Sequence, residues 1–242
     1  MMTRALILAL ALITAVAGCE PVRRPLPPTV QTEPAIADRV ARYGPSARAR
    51  LVPFSAAAGV PYPPARFLLL ALKQERELQL YAAGSAQDLG FVRSYAIRGM
   101  SGELGPKLRE GDRQVPEGVY RIVYLNPNSI AHLSLALSYP NDFDRVHAEE
   151  EGREPAILGG DIMIHGGSAS VGCLAMGDEA AEDLFILAAD AGWQDTVIVV
   201  SPIDFRNAAL PAGYRPSAEW VNQLYAWLRT ALATLPPAPP AP

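Results

Sequence analysis

The stretch Asp161-Ile-Met-Ile-His165-Gly-Gly-Ser-Ala-Ser170-Val-Gly-Cys173-Leu-Ala-Met-Gly-Asp178 decides how this chain is read. An apolar run ends in His165, so a strand is expected to deliver an imidazole at its end. Small residues then lead through Ser170, Val171 and Gly172 to Cys173. Asp178 stands where a helix can begin and is expected to cap it. Gly166, Gly167 and Gly172 allow a tight turn and a close backbone approach to a ligand. Strand end, short loop and helix start together hold reactive groups rigidly yet within reach.

The chemistry that fits is nucleophilic. A cysteine of ordinary pKa, about 8.5, is only partly ionised at neutral pH. A neighbouring imidazole can stabilise the thiolate and later protonate a leaving amine. Cys173 is therefore the candidate nucleophile and His165 its base. The backbone amides of Gly172 and Cys173 are candidates for an oxyanion hole, with Ser170, Gly166 and Gly167 shaping the loop. A carbonyl within residues 166–168 is expected to orient the second ring nitrogen of His165. On residue types alone, a structural histidine beside a core cysteine fits equally well. One cysteine and one histidine make no zinc site, and the sequence has no C-x-x-C and no phosphate-loop lysine, so no metal or cofactor is expected.

Outward from that segment the pattern is mainly strand. Phe67 to Ala71 is solidly apolar, and Glu77 to Tyr81 alternates with period two, with a turn at Lys73 to Arg76. Further strands are expected at Phe91 to Ile97, Val119 to Leu125, His132 to Leu137, Ile157 to Ile164 and Thr196 to Val200. A helix is expected from Asp178 to about Ala191, closed by Gly192. A second, from Ala218 to Leu235, has Ser217 as its cap and an apolar stripe through Trp220, Leu224, Trp227, Leu228, Ala231 and Leu235 that should dock on the sheet. Upstream, Pro34 to Tyr43 and Ser46 to Ala58 read as two short helices, the latter weakened by Pro53.

The N terminus carries its own message. Arg4 precedes an apolar run from Ala5 to Ala17 that is too short to span a bilayer and reads as a signal peptide. It ends in Val16-Ala17-Gly18-Cys19, which resembles a lipobox, so Cys19 is expected to be lipidated and residues 1–18 removed. The chain has two cysteines, Cys19 and Cys173. With Cys19 lipidated, Cys173 has no partner for a disulfide. Removing residues 1–18 takes away Arg4 and leaves 20 Lys and Arg against 25 Asp and Glu, a net charge of −5. That balance offers no broad basic surface and excludes nucleic acid as an expected partner. The expected organisation is signal peptide 1–18, tether 19–45, catalytic domain 46–201, and C-terminal helix with proline-rich tail 202–242.

The central segment resembles the active-site signature of the L,D-transpeptidase catalytic domain, the YkuD family. His165-Gly166, Ser170, Gly172-Cys173, Leu174 and Met176 carry the match. Where the family usually has an arginine this chain has Ala175, and a frequent histidine is Val171. Gly105 to Tyr120, Leu125 to Ser129, His132 to Ser134 and Tyr139 to Arg145 resemble the YafK-like branch of that family. The resemblance implies a YkuD-like β-sandwich with flanking helices and a cysteine acyl-transfer enzyme working without cofactor on peptidoglycan stem peptides. It implies either transpeptidation or hydrolysis of the link between a murein-linked lipoprotein and diaminopimelate, with Ala175 and Val171 favouring hydrolysis. Lys107, Arg109 and Arg145 are candidates to bind substrate carboxylates, and His132 is a further substrate-side candidate. The expected location is the periplasmic side of the bacterial envelope, held to a membrane by lipid. A cysteine peptidase acting on proteins and a non-enzymatic wall-binding lipoprotein remain the alternatives.

Overall fold

The computed structural model describes residues 33–85 and 88–239. The expected signal peptide, Cys19 and the first part of the tether lie outside the described residues. The chain opens with helix α1 (Glu33–Ala57). Strands β1 (Arg66–Leu72), β2 (Glu77–Ala83), β3 (Gly90–Ala96), β4 (Gly118–Asn126) and β5 (Ser134–Leu137) follow. Then come helix α2 (Asp142–Glu150), strands β6 (Met163–His165) and β7 (Leu174–Ala175), helix α3 (Asp178–Ala191), strand β8 (Val197–Ser201) and helix α4 (Trp220–Ala233). All eight strands join one sheet in the order β3-β2-β1-β8-β4-β5-β6-β7.

The sheet changes direction at β4. The first part of that strand pairs with β8 and the second with β5, and the register slips between Ile122 and Tyr124. Such an irregularity bends a strand and increases its twist. The expected sandwich is realised as this single curled sheet with helices on its flanks.

The solid apolar run of β1 follows from burial on both faces. Leu69 and Ala71 belong to the core beneath α1 and α3, while Leu70 and Leu72 belong to the core beneath α4. Alternate residues of a strand point to opposite faces, so one sequence serves two cores. Strand β8 divides in the same way, with Ile198 and Val200 on the first side and Val199 on the second. The docking of α4 on the sheet is as expected for Leu224, Leu228 and Leu235, but Trp227, expected in the same stripe, is 53% exposed. The first turn of α4 also differs: the helix starts at Trp220, and neither Ser217 nor any other side chain caps it.

Four further expectations need correction. The tether was expected to reach residue 45, but residues 33–45 are helix, and Ile36, Val40 and Tyr43 pack against the core. The two expected short helices are one, running through Pro45 and Pro53. Each proline removes a helical hydrogen bond, yet tertiary ties hold the helix. Arg48 forks onto Asp190 at 2.6 and 2.8 Å, Arg50 reaches Asp183 at 2.7 Å, and Ala47 and Leu51 are fully buried. The expected strand from Ile157 begins instead as a 3-10 turn at Pro155–Leu158, and only residues 163–165 pair. The proline fixes its φ at a helical value and withholds a donor from any ladder. Finally, Glu77 to Tyr81 alternates in polarity, but Leu78 to Ala83 are all buried. Gln79 tolerates this because its carbonyl accepts from Tyr81 at 2.6 Å and from Arg206 at 2.8 Å.

Candidate active site

β6 and β7 run parallel, with Ile164 opposite Leu174 and His165 opposite Ala175. This pairing puts Cys173, the residue before β7, alongside the strand that ends in His165. The loop between them folds back, and the register sets Cys173 level with Met163, two residues before His165. Its closure is held by backbone: Met176 N–H donates to His165 O at 2.8 Å, and Gly177 N–H to Gly167 O at 2.8 Å. Asp178 does not cap α3; Gly177 holds the cap position and no side chain bonds there. The Asp178 carboxylate instead accepts the Gly167 N–H at 2.8 Å and pins the loop to the start of the helix.

His165 Nδ1 lies 2.6 Å from the Gly166 carbonyl oxygen. A carbonyl only accepts, so Nδ1 carries a proton, and the ring is turned so that Nε2 is the nitrogen left for other partners. The expected carbonyl orienter is thus Gly166 itself. Cys173 is half-buried and is a free thiol. Its Sγ lies 3.6 Å from the Asp161 carbonyl. Burial pushes the thiol above its ordinary pKa, and the charge of Asp161 adds to this, while the Met163 N–H and the charge of Lys107 pull the other way. The net effect of this environment is to disfavour the thiolate.

The Gly172 and Cys173 amides are engaged by Ser170. Its Oγ accepts from Cys173 N–H at 3.0 Å and from Gly172 N–H at 3.3 Å, and it donates to Cys173 O at 2.6 Å. Both amides expected to form an oxyanion hole thus already donate to the Ser170 hydroxyl.

Close packing makes two glycines obligatory. A Cβ on Gly99 would stand 1.8 Å from the Ser168 carbonyl oxygen, and one on Gly166 would stand 2.8 Å from the Ala131 carbonyl. Gly99 also bridges Ala175. Ala175 is fully buried against Gly99, so its side-chain space is filled. Val171, two residues before Cys173, is 73% exposed.

The cationic candidates separate into three situations. Lys107 is buried, and its Nζ donates to Asp112 at 2.6 Å and to the Arg109 carbonyl at 2.7 Å. Asp112 also accepts the Leu108, Arg109 and Gln114 N–H groups, so it organises the loop. Burial alone would push its carboxyl up, but the bonds from Lys107 and these amides together hold it below the usual carboxylate range. Lys107 is therefore an internal partner rather than a free substrate clamp. Arg109 is exposed on a groove of about 510 Å³ shared with Leu104, Leu108, Gln114, Ile157 and Ser217. Arg145 pairs with Asp142 at 3.2 Å on the outer face of α2. His132 bonds Glu182 of α3 at 3.0 Å and meets Tyr43 edge-on, so it braces the floor beneath Gly166.

Gly99, Asp161 and Met163 were missed by the sequence reading. Gly99 is a lone glycine far from the signature, and nothing local marks it. Asp161 offers one structural sign, a positive φ of 57° in a residue that is not glycine. Among the described residues no group of three His, Cys, Asp or Glu side chains could hold a metal ion. Nor is any described helix long and apolar enough to cross a membrane.

Residues 66–200, more than half the chain, match the family described as the L,D-transpeptidase catalytic domain, YkuD, and the chain belongs to that family. YafK of Escherichia coli (strain K12) is 37% identical over 115 residues, which are 47% of this chain and 43% of that protein. Its counterpart in Escherichia coli O157:H7 matches to the same extent. The chain thus spans less than half the length of these relatives. The helical cell shape determining protein Pgp2 of Campylobacter jejuni aligns over 57% of this chain and 48% of its own, at 20% identity and a TM-score of 0.43. Bd1075 of Bdellovibrio bacteriovorus aligns over 69% and 54%, at 17% identity and a TM-score of 0.41.

Proposed function

We propose that this chain is a cysteine acyl-transfer enzyme acting on peptidoglycan peptides, as an L,D-transpeptidase or as a hydrolase of the lipoprotein–diaminopimelate link. The observation that carries the reading is the orientation of His165, with Nδ1 bonded to the Gly166 carbonyl and Nε2 left for other partners on the strand beside Cys173. Membership of the L,D-transpeptidase catalytic domain family supports the peptidoglycan substrate. In the first step Nε2 takes the Sγ proton and sulfur bonds to the substrate carbonyl carbon. The C–N bond then breaks, the leaving amine takes the proton from the imidazolium, and a thioester remains. An amine or water attacks the thioester, gives its proton to Nε2, and the thiol is restored.

Hydrolysis is proposed to outrun joining. The buried Ala175 offers no cation for a second peptide's carboxylate, and Val171 leaves an apolar, open rim. The test supplies sacculi bearing attached lipoprotein and, separately, tetrapeptide muropeptides with free lipoprotein, and scores products by mass spectrometry. Release exceeding joining supports the proposal, and faster joining restores ordinary transpeptidation. Cleavage of casein with untouched muropeptides would favour a protein peptidase, and no turnover at all would favour a wall-binding role. We further propose that Cys19 carries a diacylglyceryl anchor facing the periplasm. Mass spectrometry of membrane fractions should find that adduct with residues 1–18 absent, and a soluble protein cleaved elsewhere would defeat it.

A further inference from the structure

Lys73 closes the end of β1 with its ammonium turned inward, and its side chain is 1% exposed. Glu117, fully buried, lies 2.9 Å away. A desolvated pair of this kind persists only when further bonds satisfy both ions. Lys73 Nζ has the Gly105 carbonyl at 2.9 Å, the Val115 carbonyl at 3.0 Å and Gln114 Oε1 at 3.2 Å. Glu117 Oε1 accepts the Gly105 N–H at 2.7 Å. Its other oxygen accepts the Tyr225 hydroxyl at 2.6 Å, and Tyr214 backs that hydroxyl at 2.7 Å.

One ammonium therefore ties both ends of the loop 105–115. The same loop bears on the thiol in two ways. The Gln114 carbonyl abuts Gly172, where a Cβ would approach it to 3.2 Å, and the Lys107 charge acts on Cys173. Tyr225 belongs to α4, beyond the family-matched residues 66–200.

We propose that the buried chain Lys73–Glu117–Tyr225 is a positioning device for the Cys173 loop, which makes α4 a working part of the active site. This rests on Cys173 being the reactive group of the proposed function. Without the Tyr225 hydroxyl, one Glu117 oxygen is buried without a donor. The carboxylate then turns, the ties at Gly105 and Val115 slacken, and Gln114 withdraws from Gly172.

The test follows iodoacetamide alkylation of Cys173 against pH in the full chain. Tyr225→Phe is compared with Tyr81→Phe. Tyr81 anchors the same C-terminal segment through Gln79, Arg206 and the Pro236 carbonyl without touching Glu117. Tyr225→Phe should raise the alkylation midpoint and slow the reaction at neutral pH by about three- to tenfold. Tyr81→Phe, though destabilised, should keep the wild-type profile. An unchanged Tyr225→Phe profile, a faster reaction, or an equal shift in both variants overturns the proposal. If Tyr225→Phe does not fold, Tyr214→Phe should give a smaller shift of the same sign, and an unmoved profile there overturns it equally. Muropeptide turnover is scored separately. A wild type that turns over nothing while Tyr225→Phe still moves the profile defeats the proposed function and leaves the device standing. Turnover by wild type with an unmoved Tyr225→Phe profile defeats the device alone.

Discussion

The loop of residues 166–172 and the loop of residues 105–115 meet at Gly172, and they are held by different means. The first is shaped by space: Gly99 and Gly166 have no Cβ, and carbonyls of the neighbouring chain fill the gaps. Its one charged tie is Asp178 on the Gly167 amide. The second is shaped by charge. Asp112, Lys107, Lys73 and Glu117 bind one another or the loop backbone. The space-held loop leaves the Cys173 thiol with main-chain partners alone, the Asp161 carbonyl and the Met163 N–H, and ties the imidazole through Nδ1. A charge-held loop satisfies its own ions, so Lys107 looks in sequence like a ligand for carboxylates and in the fold already has one.

The largest effect expected from breaking this contrast is at the thiol. Cys173→Ala should lower muropeptide turnover by at least about a thousandfold while the melting curve stays at wild type, because the covalent step is lost and little packing goes with it. Wild-type turnover in that variant would end the nucleophile reading. Next comes the space-held loop. Gly99→Ala forces a methyl onto the Ser168 carbonyl, and backbone must shift on both sides. We expect a loss of about 3 kcal/mol in urea unfolding together with most of the turnover.

In the charge-held loop, Asp112→Ala should cost about 2 kcal/mol, since it strands Lys107 and three amides. Its pH signature sharpens the comparison. The carboxyl is held below its usual range in the fold, so the unfolded chain binds the proton more readily. Stability from Asp112 is thus complete above the ordinary carboxylate range and is lost as pH falls through the lowered value. Urea midpoints measured from neutral to acid pH should show this slope in wild type, and Asp112→Asn should remove its share. The smallest effects are at the surface. Arg109→Ala should raise KM about fivefold with kcat nearly unchanged, as loss of one exposed guanidinium in the groove implies. Arg145→Ala should leave KM unaltered and stability within about 0.5 kcal/mol, because its pair with Asp142 is exposed and local. Equal KM changes in the two would remove the groove from substrate binding.

What the sequence made legible followed from distance along the chain. His165, Cys173 and the carbonyl bonded to the ring lie within nine residues, so residue type and tight loop spacing suffice to propose them as one group. The double-faced burial of β1 was legible for a similar reason, because Leu68 to Leu72 has no polar break. Tyr225 and Glu117 are 108 positions apart, and no local pattern joins a tyrosine in an amphipathic helix to a glutamate in a turn. Helix α1 shows the converse. Pro45 and Pro53 are true local signals against helix, and Arg48 and Arg50, bound to partners 142 and 133 residues away, outweigh them. Asp178 was placed correctly at the start of α3 and given the wrong partner, since a carboxylate there can turn to its own helix or to a loop eleven residues back.

The half-burial that raises the Cys173 pKa has a consequence for the protein's durability. Peroxide attacks thiolates far faster than thiols, and the first oxidised form, a sulfenic acid, leads on to irreversible products. A sulfur whose thiolate is disfavoured by its surroundings is a poorer target for such attack. Its sulfenic acid should form more slowly with hydrogen peroxide at pH 7 than that of the same chain unfolded in urea. A cysteine held this way lasts longer under oxidant, without a reductant at hand, than one kept permanently ionised.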